Sequence, residues 1–331
     1  MMNRRRFIES IGALLALAAA PRRGLAQRAR PPRIGYLLLS PVTDPPSRER
    51  QAFLDGLREL GYVPGKTVEI VYRSAENEPV FMDDVARDLV KLGVDVIVTS
   101  GASATLSAKK ATRDVPIVML ALGDPVGVGA VSSLARPGGN VTGVSFISSD
   151  LAPKRVQLIK ELVPNAKRIA IVWDTRNANA RNEALATVSA ARALGMAPES
   201  LGMSSDAQLA RTFEALATRR PDVLYAAFEG GLVASNRSTI AEFGVRNRLP
   251  VVSGWSFLSE AGALMSYAPD IPAMFHRAAF YVHRVLQGEK PQALPIELPT
   301  RVELVINLRT ARTLGLAVPH SLLLRADRVI E

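Results

Sequence analysis

Short apolar runs rich in β-branched residues alternate along this chain with segments whose apolar residues recur every three or four positions. The first run, residues 33–39, stops at Ser40-Pro41. Residues 47–60 then place Phe53, Leu54, Leu57 and Leu60 on one helical face, and Gly61 ends that helix. A strand is predicted at 68–73 and a helix at 81–92, stopped by Gly93. Residues 94–99 are almost continuously apolar, as expected of a strand buried on both faces. Helix 103–112, strand 117–120, helix 126–135 and strand 141–146 follow. This alternation predicts an α/β lobe built on a doubly wound parallel sheet.

The pattern then begins again. Helix 154–162 leads to strand 168–173, helix 180–194, strand 199–203, helix 207–218, strand 223–227 and helix 235–247. Strands at 251–252 and 263–267 complete a second lobe of the same architecture, with no repeat of the first lobe's sequence. The first crossing between lobes is placed near 148–150. After Asp270 a long helix runs to about 286 and stops at Gly288. Pro291, Pro295 and Pro299 interrupt the chain before a strand at 302–306 and a helix at 308–314. This tail is expected to return to the first lobe through a second crossing near 269–272. The expected domains are therefore 32–148 with 271–331, and 149–270.

The first 26 residues do not fit this scheme. Arg4-Arg5-Arg6 precedes Phe7, an Ala/Leu-rich run spans 11–20, and Gly24-Leu25-Ala26 supplies small residues for a peptidase. A charged start, a short apolar core and a small-residue site make a signal peptide, here close to a twin-arginine motif. The run is shorter than the ~20 residues that span a bilayer. Export to the periplasm as a soluble protein is expected. Cleavage removes five arginines and Glu9, taking the formal charge from +10 to +6. That modest excess, scattered along the chain, does not imply nucleic acid. The absence of cysteine excludes disulfides, thiolate catalysis and a lipoprotein anchor.

In open parallel sheets, ligands bind beyond the carboxyl ends of the strands. In the first lobe this rule selects Ser40, Thr43, Ser100, Gly101, Ser103 and Asp124. Ser100 and Ser103 sit where a helix starts, so hydroxyls and unpaired N–H groups there suit a carboxylate. Two roles fit Ser103, capping its own helix or meeting a ligand; capping the next helix also fits Asp124. In the second lobe the rule selects Asp174, Asn177, Phe228, Glu229, Trp255 and Tyr267. Trp255, between a strand and a polar turn, suits a stacking wall, whereas Trp173 reads better as core. Tyr36, Phe146 and Tyr267 fit either core or an aromatic-lined pocket.

Motifs for catalysis fall away. Gly127-Val128-Gly129 has Ser132 where a dinucleotide fingerprint needs a third glycine, and Ser107-Ala108-Lys109-Lys110 reads as a solvated helix face. There is no nucleophile elbow and no P-loop. His276 and His283 share a helix face but are too far apart for one metal, so neither a metal nor a cofactor is expected. An exported hydrolase-like enzyme on the same scaffold is the competing reading. A repressor with a two-lobe core would need a DNA-reading helix pair at its N-terminus.

Two stretches add a resemblance. Gly123-Asp124-Pro125-Val126-Gly127 leads into Leu134-Ala135-Arg136-Pro137-Gly138-Gly139-Asn140-Val141-Thr142-Gly143. Asn307-Leu308-Arg309-Thr310-Ala311 leads through Leu314-Gly315-Leu316 and Pro319 to Leu323-Leu324-Arg325-Ala326-Asp327. Together they resemble the ABC transporter substrate-binding protein family, periplasmic binding proteins whose better-known members bind aromatic amino acids. The resemblance implies a type I-like fold of the three-crossover kind, closure about a hinge, a monomer, and a membrane permease with its ATPase as partner. Amino-acid binders of the family tend to carry a carboxylate and an amide after a second-lobe strand. Here Phe228-Glu229-Gly230-Gly231 stands there, keeping the carboxylate only. The solute class thus stays open between an amino acid and another small aromatic or aliphatic acid.

Overall fold

A computed structural model describes residues 30–227, 231–299 and 301–331. Residues 1–26, read from sequence as a signal peptide, therefore lie outside the described residues. The first sheet contains β1 (Arg33–Leu38), β2 (Glu69–Ser74), β3 (Val96–Ser100), β4 (Ile117–Gly123) and β5 (Val141–Phe146), in the order β2-β1-β3-β4-β5 with every pair parallel. Helices α1 (Arg48–Glu59), α2 (Met82–Lys91) and α3 (Ala102–Ala111) connect them. Strands β3 and β5 are buried along nearly their whole length. The nearly continuous apolar run that holds β3 thus meets a core on each face. One core holds Tyr36, Phe53 and Val98, the other Leu37, Leu89 and Ile97.

The second sheet begins with β6 (Arg168–Asp174), β7 (Ala197–Met203), β8 (Val223–Ala226), β9 (Val251–Ser253) and β10 (Met265–Pro269). Its helices are α4 (Ala152–Leu162), α5 (Ala178–Ala193), α6 (Asp206–Arg219), α7 (Leu232–Ser235), α8 (Arg237–Arg246) and α9 (Ser256–Glu260). The long helix α10 (Ile271–Leu286) starts with Pro272 in its first turn, and the Asp270 carboxylate accepts from Ala273 N at 3.0 Å. Met274, Phe275, Ala278, Val282 and Val285 form its buried stripe, packed with Phe53 and Leu57 of α1 in the first lobe. Helix α10 thus packs on the first lobe.

The rest of the tail does not. Strand β11 (Val302–Asn307) pairs antiparallel with β10, and β12 (Arg328–Ile330) pairs with β11, so the second sheet reads β12-β11-β10-β9-β8-β6-β7. Helices α11 (Leu308–Leu314) and α12 (His320–Leu323) lie between them. Leu304, Ile306, Ala311 and Leu322 join the second-lobe core. The assignment of 302–331 to the first lobe is thus corrected: only α10 and residues up to about 297 pack there. Edges explain the split. Residues 296–297 already cover the exposed side of β5, with Ser145 N donating to Glu297 O at 2.9 Å and Glu297 N to Gly143 O at 3.1 Å. The open edge of β10 is left to pair with the next apolar run.

A second correction concerns 126–135, which forms turns instead of a helix. Gly129, Gly138 and Gly139 all take positive φ. Asp124 Oδ1 accepts from Gly127 N at 2.9 Å, closing a turn that competes with helix. The chain thus crosses between lobes three times, at the short 3₁₀ turn Ser148–Leu151, between β10 and α10, and between Glu297 and β11.

Candidate functional site

Loops at the carboxyl ends of the two sheets face one another. Arg48 at the start of α1 meets Glu260 at the end of α9, 3.4 Å away across the lobes. Trp255 and Phe257, of the second lobe, pack against the first-lobe core that contains Tyr36. The charge of Glu78, beyond β2, acts on Arg176, beyond β6. These ties bring parts of the strand-end loops of the two lobes together.

On the first-lobe side, β3 ends at Ser100 and Gly101 caps α3. Gly101 takes φ +83, a conformation that favours glycine. Its carbonyl accepts from Thr105 N at 3.2 Å and from Thr105 Oγ1 at 2.8 Å. The buried Thr99 and Thr105 hydroxyls, 2.8 Å apart, fix this turn from beneath. Ser103 lies within the first helical turn and is not the cap, so that reading of it is corrected. The first N–H groups of α3 lack intrahelical acceptors, and Ser100 and Ser103 flank them. Ser40 and Thr43 are exposed on the loop after β1. Both contribute carbonyls, Ser40 to Ser74 Oγ at 2.8 Å and Thr43 to the Arg50 guanidinium. Asp124 closes its own turn and not a helix start, so the helix-capping reading of it is corrected.

On the second-lobe side, Asp174 ends β6 with only 3 % of its surface exposed. Oδ1 accepts from Arg176 N and Nε, both at 2.9 Å; Oδ2 accepts from Arg176 Nη2 at 2.8 Å and Leu232 N at 3.1 Å. Burial pushes its pKa up, but the hydrogen bonds from Arg176 and Leu232 outweigh that and hold it below the usual carboxylate range. Both oxygens already serve Arg176 and the backbone, a partner that sequence reasoning missed. Asn177 caps α5, accepting from Asn179 N at 2.9 Å. Phe228 and Glu229 lie outside the described residues. Trp255 precedes α9, half-buried, its ring 4.7 Å from that of Phe257. Tyr267 is half-buried and presents its carbonyl to Arg155 Nε at 2.8 Å.

Arg155 belongs to a buried network that no motif announced. Its Nη1 donates to Ser148 O at 2.9 Å, Ser148 Oγ at 3.0 Å, Glu183 Oε1 at 3.2 Å and the Tyr225 hydroxyl at 3.2 Å. Ser148 Oγ and the Tyr225 hydroxyl in turn donate to Glu183. Burial, before any charge, pushes the Tyr225 pKa well up, so its proton stays in place. The guanidinium lies flat against Gly254, where a Cβ would stand 2.7 Å from Cζ. Tyr36 and Phe146 are fully buried core, whereas Trp173 is half-buried with Nε1 donating to Ser200 Oγ at 2.9 Å. His276 meets Glu59 at 3.1 Å and His283 Nδ1 meets the Tyr62 hydroxyl at 3.1 Å, so they serve separate partners.

Three comparisons bear on what this arrangement does. A tyrosine-binding protein of Clostridioides difficile is 27% identical over 281 residues, 84% of this chain and 80% of that protein. A crystal structure from Vibrio cholerae, described as a conserved domain protein, superposes with a TM-score of 0.85 at 30% identity, covering 91% of this chain and 100% of that one. An ABC domain from Streptococcus pneumoniae in complex with L-Trp also gives 0.85, at 28% identity with the same coverage. The family model for ABC transporter substrate binding proteins matches residues 40–330. This chain, with two type I lobes and their strand-end loops face to face, belongs to the ABC transporter substrate binding protein family.

Proposed function

We propose that this protein is the exported solute receptor of an ABC importer and that it closes two lobes on a small carboxylate-bearing solute, an α-amino acid in the first instance. The observation that carries the reading is the start of α3, where Gly101 caps the helix and Ser100 and Ser103 flank its first N–H groups. An anion is favoured at such a helix start. An apolar or aromatic body lies against Trp255, and Glu229, placed by sequence just after β8, supplies the counter-charge for an ammonium group. The relatives that bind tyrosine and L-Trp favour the amino-acid branch. With both Asp174 oxygens engaged by Arg176 and Leu232, Glu229 is the better ammonium partner.

A thermal-shift screen of amino acids, aromatic acids and short aliphatic acids tests the reading. A solute at 100 times its Kd adds about 2.7 kcal/mol of stability. Trp255→Ala and Ser100→Ala should each weaken the best hit about tenfold or more, by the scale of one lost hydrogen bond to a charged group or one lost anchor. Full affinity in both variants would remove the site from this cleft. Glu229→Gln should abolish amino-acid binding while leaving a simple acid unaffected or improved. Turnover of the hit would return the enzyme reading.

Export rests on Arg4-Arg5, the short apolar run and Ala26, and on the family's transport role. Among the described residues no helix is long and apolar enough to cross a membrane. The receptor would act as a monomer and meet the membrane only through its permease and ATPase. Fractionation of cells carrying the tagged chain should recover it in the periplasm; retention in the cytoplasm or membrane pellet would refute export.

A further inference from the structure

One cation near the interlobe space has no counter-charge. Arg50, in the first turn of α1, is only 7 % exposed. Its guanidinium donates to the Thr43 carbonyl and lies 5.4 Å from the centre of the Tyr72 ring. Among the described residues no carboxylate comes within 4.0 Å of it, whereas Arg48, two residues earlier, has Glu260 at 3.4 Å. Beside it the Tyr36 hydroxyl is fully buried and has no hydrogen-bond partner among the described residues. Arg50 and the Tyr36 ring both lie against the ring of Tyr72. A buried cation and a buried hydroxyl, each short of an acceptor, are two separate costs that one anionic oxygen pair would relieve. The guanidinium fork matches a carboxylate bidentately, which a carbonyl such as that of Thr43 cannot satisfy.

The walls around this pair are flat. Tyr36 and Tyr72 stand with centroids 5.5 Å apart and planes 37° apart. Trp255 and Phe257 reach the same cluster from the second lobe. Two acceptor-seeking groups beside a cluster of aromatic rings suit the far end of a ligand, apart from the helix start at Ser100. We propose that Arg50 and Tyr36 form a specificity subsite for a second carboxylate on the solute, so that the preferred ligand is an aromatic or amino acid bearing a further acid group. This rests on the cleft reading above, with Ser100 and Ser103 taking the first carboxylate.

Calorimetric titration of the mature chain with matched pairs tests it: L-phenylalanine against 4-carboxy-L-phenylalanine, and benzoate against terephthalate. The second carboxylate should tighten binding about tenfold or more within a pair, the scale of a bidentate Arg–carboxylate contact. Arg50→Met should erase that ratio while the monocarboxylate affinity stays within about twofold, since only the charged contact is removed. Arg50→Lys should keep part of the gain and Tyr36→Phe should lose part. An arginine that merely holds the loop at Thr43 would lower the melting temperature in Arg50→Met and leave the ratio intact, which overturns the proposal. So would diacids that bind no better than their partners, or not at all, in the unmodified protein. Monocarboxylates that bind through Ser100 and Trp255 while the diacids gain nothing would leave the cleft reading standing alone. A gain lost with Arg50 but indifferent to Ser100→Ala and Trp255→Ala would do the reverse.

Discussion

At the scale of single residues, Asp174 shows how a buried charge is kept. It gives four hydrogen-bond contacts to Arg176 and Leu232 from a position almost closed to solvent. Its pKa is held below the usual range, so the folded state binds its proton less readily than the unfolded chain does. That contribution is complete above the unfolded value of about 3.9 and fades as pH falls through the lower folded value. Asp174→Asn should therefore cost about 1–3 kcal/mol near neutral pH, with the partial exposure of Arg176 favouring the lower end. Urea melts of the two proteins should draw together as pH is lowered to about 3, where the carboxylate of the unfolded wild-type chain is already taking up its proton. A gap that is the same at both pH values would mean that the Arg176 contact carries no net stability.

At the scale of elements, the Arg155 network joins what the chain order separates. Arg155 on α4 holds the Ser148 carbonyl at the first crossing and the Tyr267 carbonyl shortly before the second. Glu183 on α5 and Tyr225 on β8 complete the charge balance, and both partners of the ion pair have no exposed side-chain surface. Removing one member leaves an uncompensated buried charge, so Glu183→Gln should cost about 3–5 kcal/mol. The double change Arg155→Met with Glu183→Leu should recover much of that, because the pair as a whole has also lost its hydration. A double variant as unstable as the single one would show that the network's worth lies in the carbonyls it holds at the crossings. Gly254 is part of the same arrangement, since any side chain there would displace the guanidinium.

At the scale of the molecule, three crossings tie two independently cored lobes together. Hinge motion concentrates backbone change in a few connecting residues and leaves each lobe rigid. The few direct ties across the lobes, such as the exposed Arg48–Glu260 pair, are of a kind worth less than about 1 kcal/mol. Small-angle scattering should therefore show a smaller radius of gyration when a saturating solute is added. An unchanged radius at full occupancy would exclude closure as the response to this ligand.

Element type was largely written in the sequence, because periodicity and continuous burial are local properties. The run at 94–99 reads as a doubly buried strand, and β3 has a core on each face. Residues 126–135 misled because apolar spacing there suits a helix, while Asp124 and the positive-φ glycines close turns instead. The strand-end rule depends only on where strands stop, so it can be applied before any packing is known. Sheet membership of β11 and β12 was beyond the sequence: an apolar strand carries no mark of which open edge it will pair with. The same holds for Asp174 with Arg176, Arg155 with Glu183, and Arg50 with Tyr36. Each side chain was visible in the sequence, but whether a charge finds a partner is settled only when packing brings distant segments together and excludes water from between them.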